Sequence, residues 1–219
     1  LSMPNLVAQT LQQRIQNGTY APGTLLPGQR ELALQLGVSR TALREALSML
    51  VALGFLHPVP GKGTFVLKPD EPTASPIGAN YAQLMQFRYV VEPPAAALAA
   101  RAVGAGGAAK LWGLQARMRE ALARGDLVDA ADADLAFHQT VAAFSGNEIL
   151  IEVARTLEDR IGRSLQQPFG NRARFREPLD EHHAIVVALV AGDGELARAA
   201  MQTHLVCAAG RVGIELVVP

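Results

Sequence analysis

Two groups of residues in this 219-residue chain have types and spacings suited to chemistry. Asp134 and His138 stand four apart in a helical pattern, so their side chains emerge from one face. His182 and His183 fall on a later predicted helix and His204 on the last one. A carboxylate with imidazoles from three helices can close around a divalent cation inside a bundle. Spacing alone leaves a plainer role open, because an Asp-x-x-x-His pair also suits an exposed helix face and a single histidine a solvated one. The second group is Arg40, Thr41 and Arg44, which share the polar side of a helix whose other side carries Leu43, Ala46, Leu47 and Leu50. Ser39 can cap that helix through its hydroxyl. The preceding pattern, Leu32, Ala33 and Leu36, ends at Gly37, which supplies a left-handed residue. Two helices so joined form a helix-turn-helix, in which the start of the second helix meets base edges.

These residues need elements to hold them. Leu6, Val7, Leu11 and Ile15 repeat at helical spacing until Asn17-Gly18, giving one more helix before the helix-turn-helix. After it, two short apolar runs flank Pro60-Gly61-Lys62-Gly63, a β-hairpin whose glycines allow close approach to a groove and whose Lys62 can meet phosphate. Three prolines within residues 69–78 read as an extended linker between a first module, 1–68, and a second, 79–219. Each module is expected to have its own core. The second reads helical throughout, with helices at about 79–103, 108–124, 127–144, 148–167, 175–191 and 194–216. Gly125-Asp126, Gly146-Asn147 and Gly192-Asp193 stop one helix and start the next. The expected fold is mainly α: an N-terminal winged helix-turn-helix with a small β-hairpin, then an antiparallel six-helix bundle.

Composition narrows the function. Hydrophobic residues make up 49% and charged residues 18% of the chain, which excludes a disordered one. The single cysteine, Cys207, excludes a disulfide framework and a cysteine-based zinc finger. No apolar run approaches the roughly 18 residues of a membrane span, and no basic-then-apolar leader opens the chain, so a cytoplasmic protein without a membrane partner is expected. A net charge of zero conceals +4 over residues 1–68 and −4 over the remainder. This polarity suits a basic module that meets a polyanion, fused to a module with another task.

The segments Leu26-Pro-Gly-Gln-Arg-Glu-Leu-Ala33, Leu36-Gly-Val-Ser-Arg-Thr-Ala-Leu-Arg-Glu-Ala-Leu47 and Gly61-Lys-Gly-Thr-Phe-Val66 closely resemble the winged helix of GntR-family bacterial transcription regulators. The resemblance implies DNA contacts from Arg30, Arg40 and Arg44, with Gly61 entering the minor groove; with Ser39, Thr41 and Lys62 from the reading above, these are the expected DNA-binding residues. Gly28-Gln29 stands where the family more often has Ser-Glu, and Pro58 and Pro60 stand where its wing is often basic. Farther on, Asp134-Leu-Ala-Phe-His138, Glu181-His182-His-Ala-Ile185 and Met201-Gln-Thr-His-Leu205 resemble the FCD effector domain of the FadR-type branch, and Arg88-Tyr-Val-Val-Glu92 resembles its first helix. Six helices rather than seven resemble the VanR-like subgroup.

That resemblance implies a divalent transition metal, zinc or nickel, held by Asp134, His138, His182 and His204, with His183 outside the set. It also implies a small carboxylic acid effector held by the metal and Arg88, and a homodimer on pseudo-palindromic operator DNA. From the sequence alone, Arg88 can instead be the i, i+4 salt-bridge partner of Glu92. The expected protein is a regulator and not an enzyme; a metal-dependent hydrolase and a purely metal-responsive repressor are the alternatives.

Overall fold

The computed structural model describes residues 2–68, 81–157, 160–162, 166, 169–171 and 173–217. Helix α1 (Met3–Gln16) opens with Ser2 accepting from the Asn5 amide. Helix α2 (Gln29–Leu36) ends at Gly37 in the left-handed conformation, φ 66°, which turns the chain into α3 (Arg40–Ala52). Ser39 caps α3, its hydroxyl accepting from the Ala42 amide at 3.1 Å. Strands β1 (Leu56–Val59) and β2 (Gly63–Val66) pair antiparallel with Leu56 opposite Val66, and Leu25 bridges to Phe65 on the free side of β2. Gly63, at φ 114°, lies so close to Leu25 that a Cβ would stand 2.7 Å from its Cδ1. The winged helix-turn-helix is therefore present as read.

The second half is helical: α4 (Tyr81–Ala99), α5 (Ala105–Ala123), α6 (Leu127–Phe144), α7 (Glu148–Thr156), α8 (Glu177–Val190) and α9 (Gly194–Arg211). Asp126, Asn147 and Asp193 cap α6, α7 and α9 through their side chains, the punctuation expected of those residues. Helix α4 runs through Pro93 and Pro94, which have no N–H to offer the carbonyls of Tyr89 and Val90. The helix expected over 148–167 stops earlier, at Thr156, with Leu157 as its cap. The linker expected over 69–78 lies outside the described residues.

The expectation of two separate cores is overturned. One apolar cluster runs from Val7, Leu11, Leu32, Leu43 and Leu50 of the head into Met118, Leu122, Leu127, Val128 and Ala131 of α5 and α6. The second lies within the bundle, among Met85, Leu111, Phe137, Val141, Ile185, Leu189, Met201 and Leu205. The reason lies in α1, whose buried stripe is Val7, Ala8, Leu11 and Gln12, while Leu6 is exposed. A stripe that includes a glutamine needs polar partners, and the turn between α5 and α6 supplies them. Gln12 Oε1 accepts from the amides of Leu127 and Val128 at 3.1 and 3.3 Å, and its amide nitrogen donates to the Gly125 carbonyl at 3.1 Å. Gln16 reaches the same carbonyl at 2.8 Å, Gln9 donates to Asp126, and Asn5 donates to Asp132 at 2.6 Å. The first helix of the head thus helps to cap α6, satisfying amides that every helix N-terminus leaves without a partner.

Candidate nucleic-acid interface and buried polar centre

The head places its chemistry in solvent. Ala42, Leu43, Ala46, Leu47 and Leu50 bury one side of α3, and Arg40, Thr41 and Arg44 stand exposed on the other. Arg30, at the start of α2, Ser39, and Gly61 with Lys62 at the hairpin tip are exposed as well. The structure brings Ser39, Arg40, Thr41 and Arg44 together at the start and on the outer side of one helix. Arg44 also borders an open cleft of about 480 Å³ between α3 and the bundle, whose far wall includes Asp132 and Leu135.

The bundle does the reverse. Asp134 and His138 of α6, His182 of α8 and His204 of α9 are all buried, and one potential ligand atom from each lies within 4.8 Å of the others. Asp134 Oδ1 is 3.0 Å from His182 Nε2 and 3.7 Å from His138 Nε2. The His204 ring centroid lies 4.7 Å from that of His182 and 5.2 Å from that of His138. Phe137 stacks on His182, ring centres 4.2 Å apart. His183, one position on, is exposed and packs against Trp112 instead.

Electrostatics favour the ligand forms of Asp134, His182 and His204. Burial pushes the imidazoles of His182 and His204 below the ordinary range, that of His204 to about 3, so both are neutral at neutral pH. Burial works against the Asp134 carboxylate, but the neighbouring imidazoles, His182 foremost, prevail and hold it down at about 2. Among the described residues, Asp134 Oδ1, His138 Nδ1, both ring nitrogens of His182 and His204 Nε2 are buried with no aligned hydrogen-bond partner. Buried polar atoms without partners are costly, and here they converge. Three imidazoles and one carboxylate are a donor set that suits a divalent transition ion, so the residues present fit such a group.

Around this centre stands a second layer that sequence reasoning only partly found. Arg88 is buried at 1% exposure and grips Glu92, with Nε 2.6 Å from Oε1 and Nη2 3.3 Å from Oε2. The salt bridge read from the i, i+4 spacing is formed. The same Nη2 also lies 3.3 Å from His138 Nε2, and Glu92 Oε2 lies 2.8 Å from His138 Nδ1. On the opposite side, Arg211 donates to both oxygens of Glu181 at 2.5 and 2.9 Å, and Glu181 Oε2 is 2.8 Å from His204 Nδ1. Burial alone would raise Glu92 and Glu181, but the arginines and histidines win, holding Glu92 well below the usual carboxylate range and Glu181 at about 2. Arg211 was not singled out by the sequence, since its partner is 30 positions away. A small recess of about 30 Å³, lined by Phe87, Val91, Glu92, His138 and Gln139 among others, opens beside the centre.

Comparison with known proteins decides the family. Residues 5–66 match the model of bacterial regulatory proteins of the gntR family, and residues 83–206 match that of the FCD domain. The chain belongs to the GntR family of transcription regulators. It is 31% identical to the putative L-lactate dehydrogenase operon regulatory protein of Escherichia coli, over 91% of this chain and 82% of that one. It is 30% identical to the HTH-type transcriptional regulator LutR of Bacillus subtilis, over 87% and 92% respectively. Among solved structures, Escherichia coli McbR/YncC superposes with a TM-score of 0.56 at 26% identity, covering 97% of each chain. A putative GntR regulator from Rhodococcus sp. RHA1 gives 0.55 at 25% identity, covering 97% of this chain and 99% of that one. This GntR-family chain is accordingly a DNA-binding transcription regulator rather than an enzyme. No helix among its described residues is long and apolar enough to cross a membrane.

Proposed function

We propose that this regulator binds a pseudo-palindromic operator as a homodimer, and that a small carboxylic acid, bound beside a metal in the FCD bundle, sets its affinity for DNA. The observation that carries the reading is the convergence of Asp134, His138, His182 and His204, buried and within 4.8 Å of one another, next to a recess that His138 also lines. A zinc or nickel ion held by these four residues would supply a Lewis-acid anchor for a carboxylate. Arg88 Nη2 lies 3.3 Å from His138 Nε2, so its guanidinium is the protein's own candidate for the acid, which would share it with Glu92. The name of one relative refers to an L-lactate dehydrogenase operon, which makes L-lactate a natural first probe.

On DNA, Arg40, Thr41 and Arg44 take the base edges, with Ser39 at the helix start; Arg30, Lys62 and the Gly61 turn take the backbone and the minor groove. A dimer would set two α3 helices in successive major grooves, about 34–36 Å apart. Acid binding that changes the placement of the heads changes operator affinity, and linkage requires DNA to alter acid binding by the same factor. Elemental analysis of the natively purified protein, with calorimetry against L-lactate, acetate and citrate, tests the proposal. One metal per chain and saturable binding of an acid that is not consumed are expected. Absence of a transition metal from protein prepared with zinc or nickel present overturns the four-residue site. A shift in operator affinity caused by metal alone, with no acid bound, would make the metal the signal.

A further inference from the structure

Glu92 and Glu181 occupy equivalent places on opposite sides of the buried centre, and nothing in the reading above gives either of them a task. Each has one carboxylate oxygen 2.8 Å from the Nδ1 of a histidine in the cluster, Glu181 in a hydrogen bond with His204 and Glu92 in a close contact with His138 that is not aligned as a hydrogen bond. Each is held by a buried arginine from its other side, Arg88 or Arg211. We propose that Glu92 and Glu181 are positioning residues, which place the proton of His138 and of His204 on Nδ1 and so present an unprotonated Nε2 from each toward Asp134 and His182. The proposal rests on the metal reading of the centre.

The chemistry of the neighbours dictates this assignment. An ionised carboxylate only accepts, so the nitrogen facing it must carry the hydrogen. A neutral imidazole has one N–H, which leaves the other nitrogen as the acceptor and the potential ligand. At His138 the second neighbour agrees: a guanidinium only donates, and Arg88 Nη2 sits 3.3 Å from Nε2. The arginines in turn fix the carboxylates, since a planar fork binding both oxygens leaves little freedom of rotation. Arg211 and Glu181 lie on α9 and α8, so this arm also ties together two helices that carry cluster histidines. His182 has no such carboxylate at Nδ1 among the described residues and is held by its stack on Phe137. Outer partners of this kind set the tautomer and basicity of a ligand histidine.

The test uses the full chain with Glu92→Gln and Glu181→Gln, which keep the side-chain shape but can present an amide N–H to Nδ1. Nitrogen-15 spectra of histidine-labelled, metal-free protein report the tautomer directly, and zinc titration by calorimetry reports affinity. Wild type is expected to show His138 and His204 protonated on Nδ1. Each variant is expected to show a mixture at the affected ring and to bind zinc about 10- to 100-fold more weakly. Glu181→Ala is expected to lose at least as much affinity as Glu181→Gln; if it does not fold, the two Gln variants still decide. Nε2–H tautomers in wild type, or variants with unchanged spectra and unchanged zinc affinity, overturn the proposal. Wild type that shows the expected tautomers but binds no zinc overturns the metal reading instead and leaves the positioning role standing.

Discussion

Arg40 and Arg44 hold their charges in solvent on the outer side of α3, whereas Arg88 and Arg211 are buried in the bundle and each is clamped to a glutamate. The residue type is the same, but the partners differ, and the partners decide the role. An exposed arginine with no carboxylate in its fork is available to a guanine edge or a phosphate. A buried one already paired contributes order to the groups around it. The head therefore keeps its candidate recognition chemistry on its surface, and the bundle keeps its candidate site inside a framework of paired charges.

The sharpest way to break this contrast is to exchange the measurements. Arg88→Ala and Arg211→Ala each leave a carboxylate with its buried charge uncompensated and should cost about 3–5 kcal/mol of stability, read from denaturant midpoints. Arg40→Ala should leave the midpoint within about 0.5 kcal/mol of wild type. A surface-like response from Arg88 and Arg211 would mean that the buried pairs do not organise the bundle.

Gln12 offers the next largest effect, at the junction between the regions. Gln12→Ala removes the acceptor of the Leu127 and Val128 amides and should cost about 1–3 kcal/mol. Because head and bundle share one apolar cluster, wild type should unfold in a single calorimetric transition. Two separated transitions in wild type would contradict the shared core.

On DNA, Arg40→Ala or Arg44→Ala should weaken operator binding by about 1–3 kcal/mol while changing random-sequence binding much less. Salt-matched titrations check this, and unchanged operator affinity in both variants would remove α3 from base reading. Lys62→Ala should have the smallest effect. It should lower affinity on all sequences alike and flatten the salt dependence by about one unit of slope. A sequence-selective loss with the slope retained would place Lys62 on a base instead.

The same contrast explains what the sequence could show. The candidate recognition surface lies within one short stretch, and its signals are local: an apolar helical period, a glycine at the turn, Ser39 at the cap. The four cluster residues were visible as types on predicted helices, and Glu92 as an i, i+4 partner of Arg88. Glu181 and Arg211 were hidden because a pair between helices leaves no periodic trace. Gln12 was hidden for a related reason, since a glutamine on an amphipathic helix reads as part of the solvated face, and only the α5–α6 turn gives it a reason to be buried. The shared core followed from that same side chain, and the linker prolines pointed the other way.

The central claim is that occupancy of the buried centre governs DNA binding, and operator titration reads it directly. Take a site selected from random-sequence DNA and measure affinity at fixed salt, for zinc-loaded and for chelated protein, with and without L-lactate, acetate or citrate. The account predicts that at least one acid shifts operator affinity about fivefold or more in the loaded protein and leaves the chelated protein unchanged. Equal shifts in both forms, or no shift by any acid in the loaded protein, would contradict it.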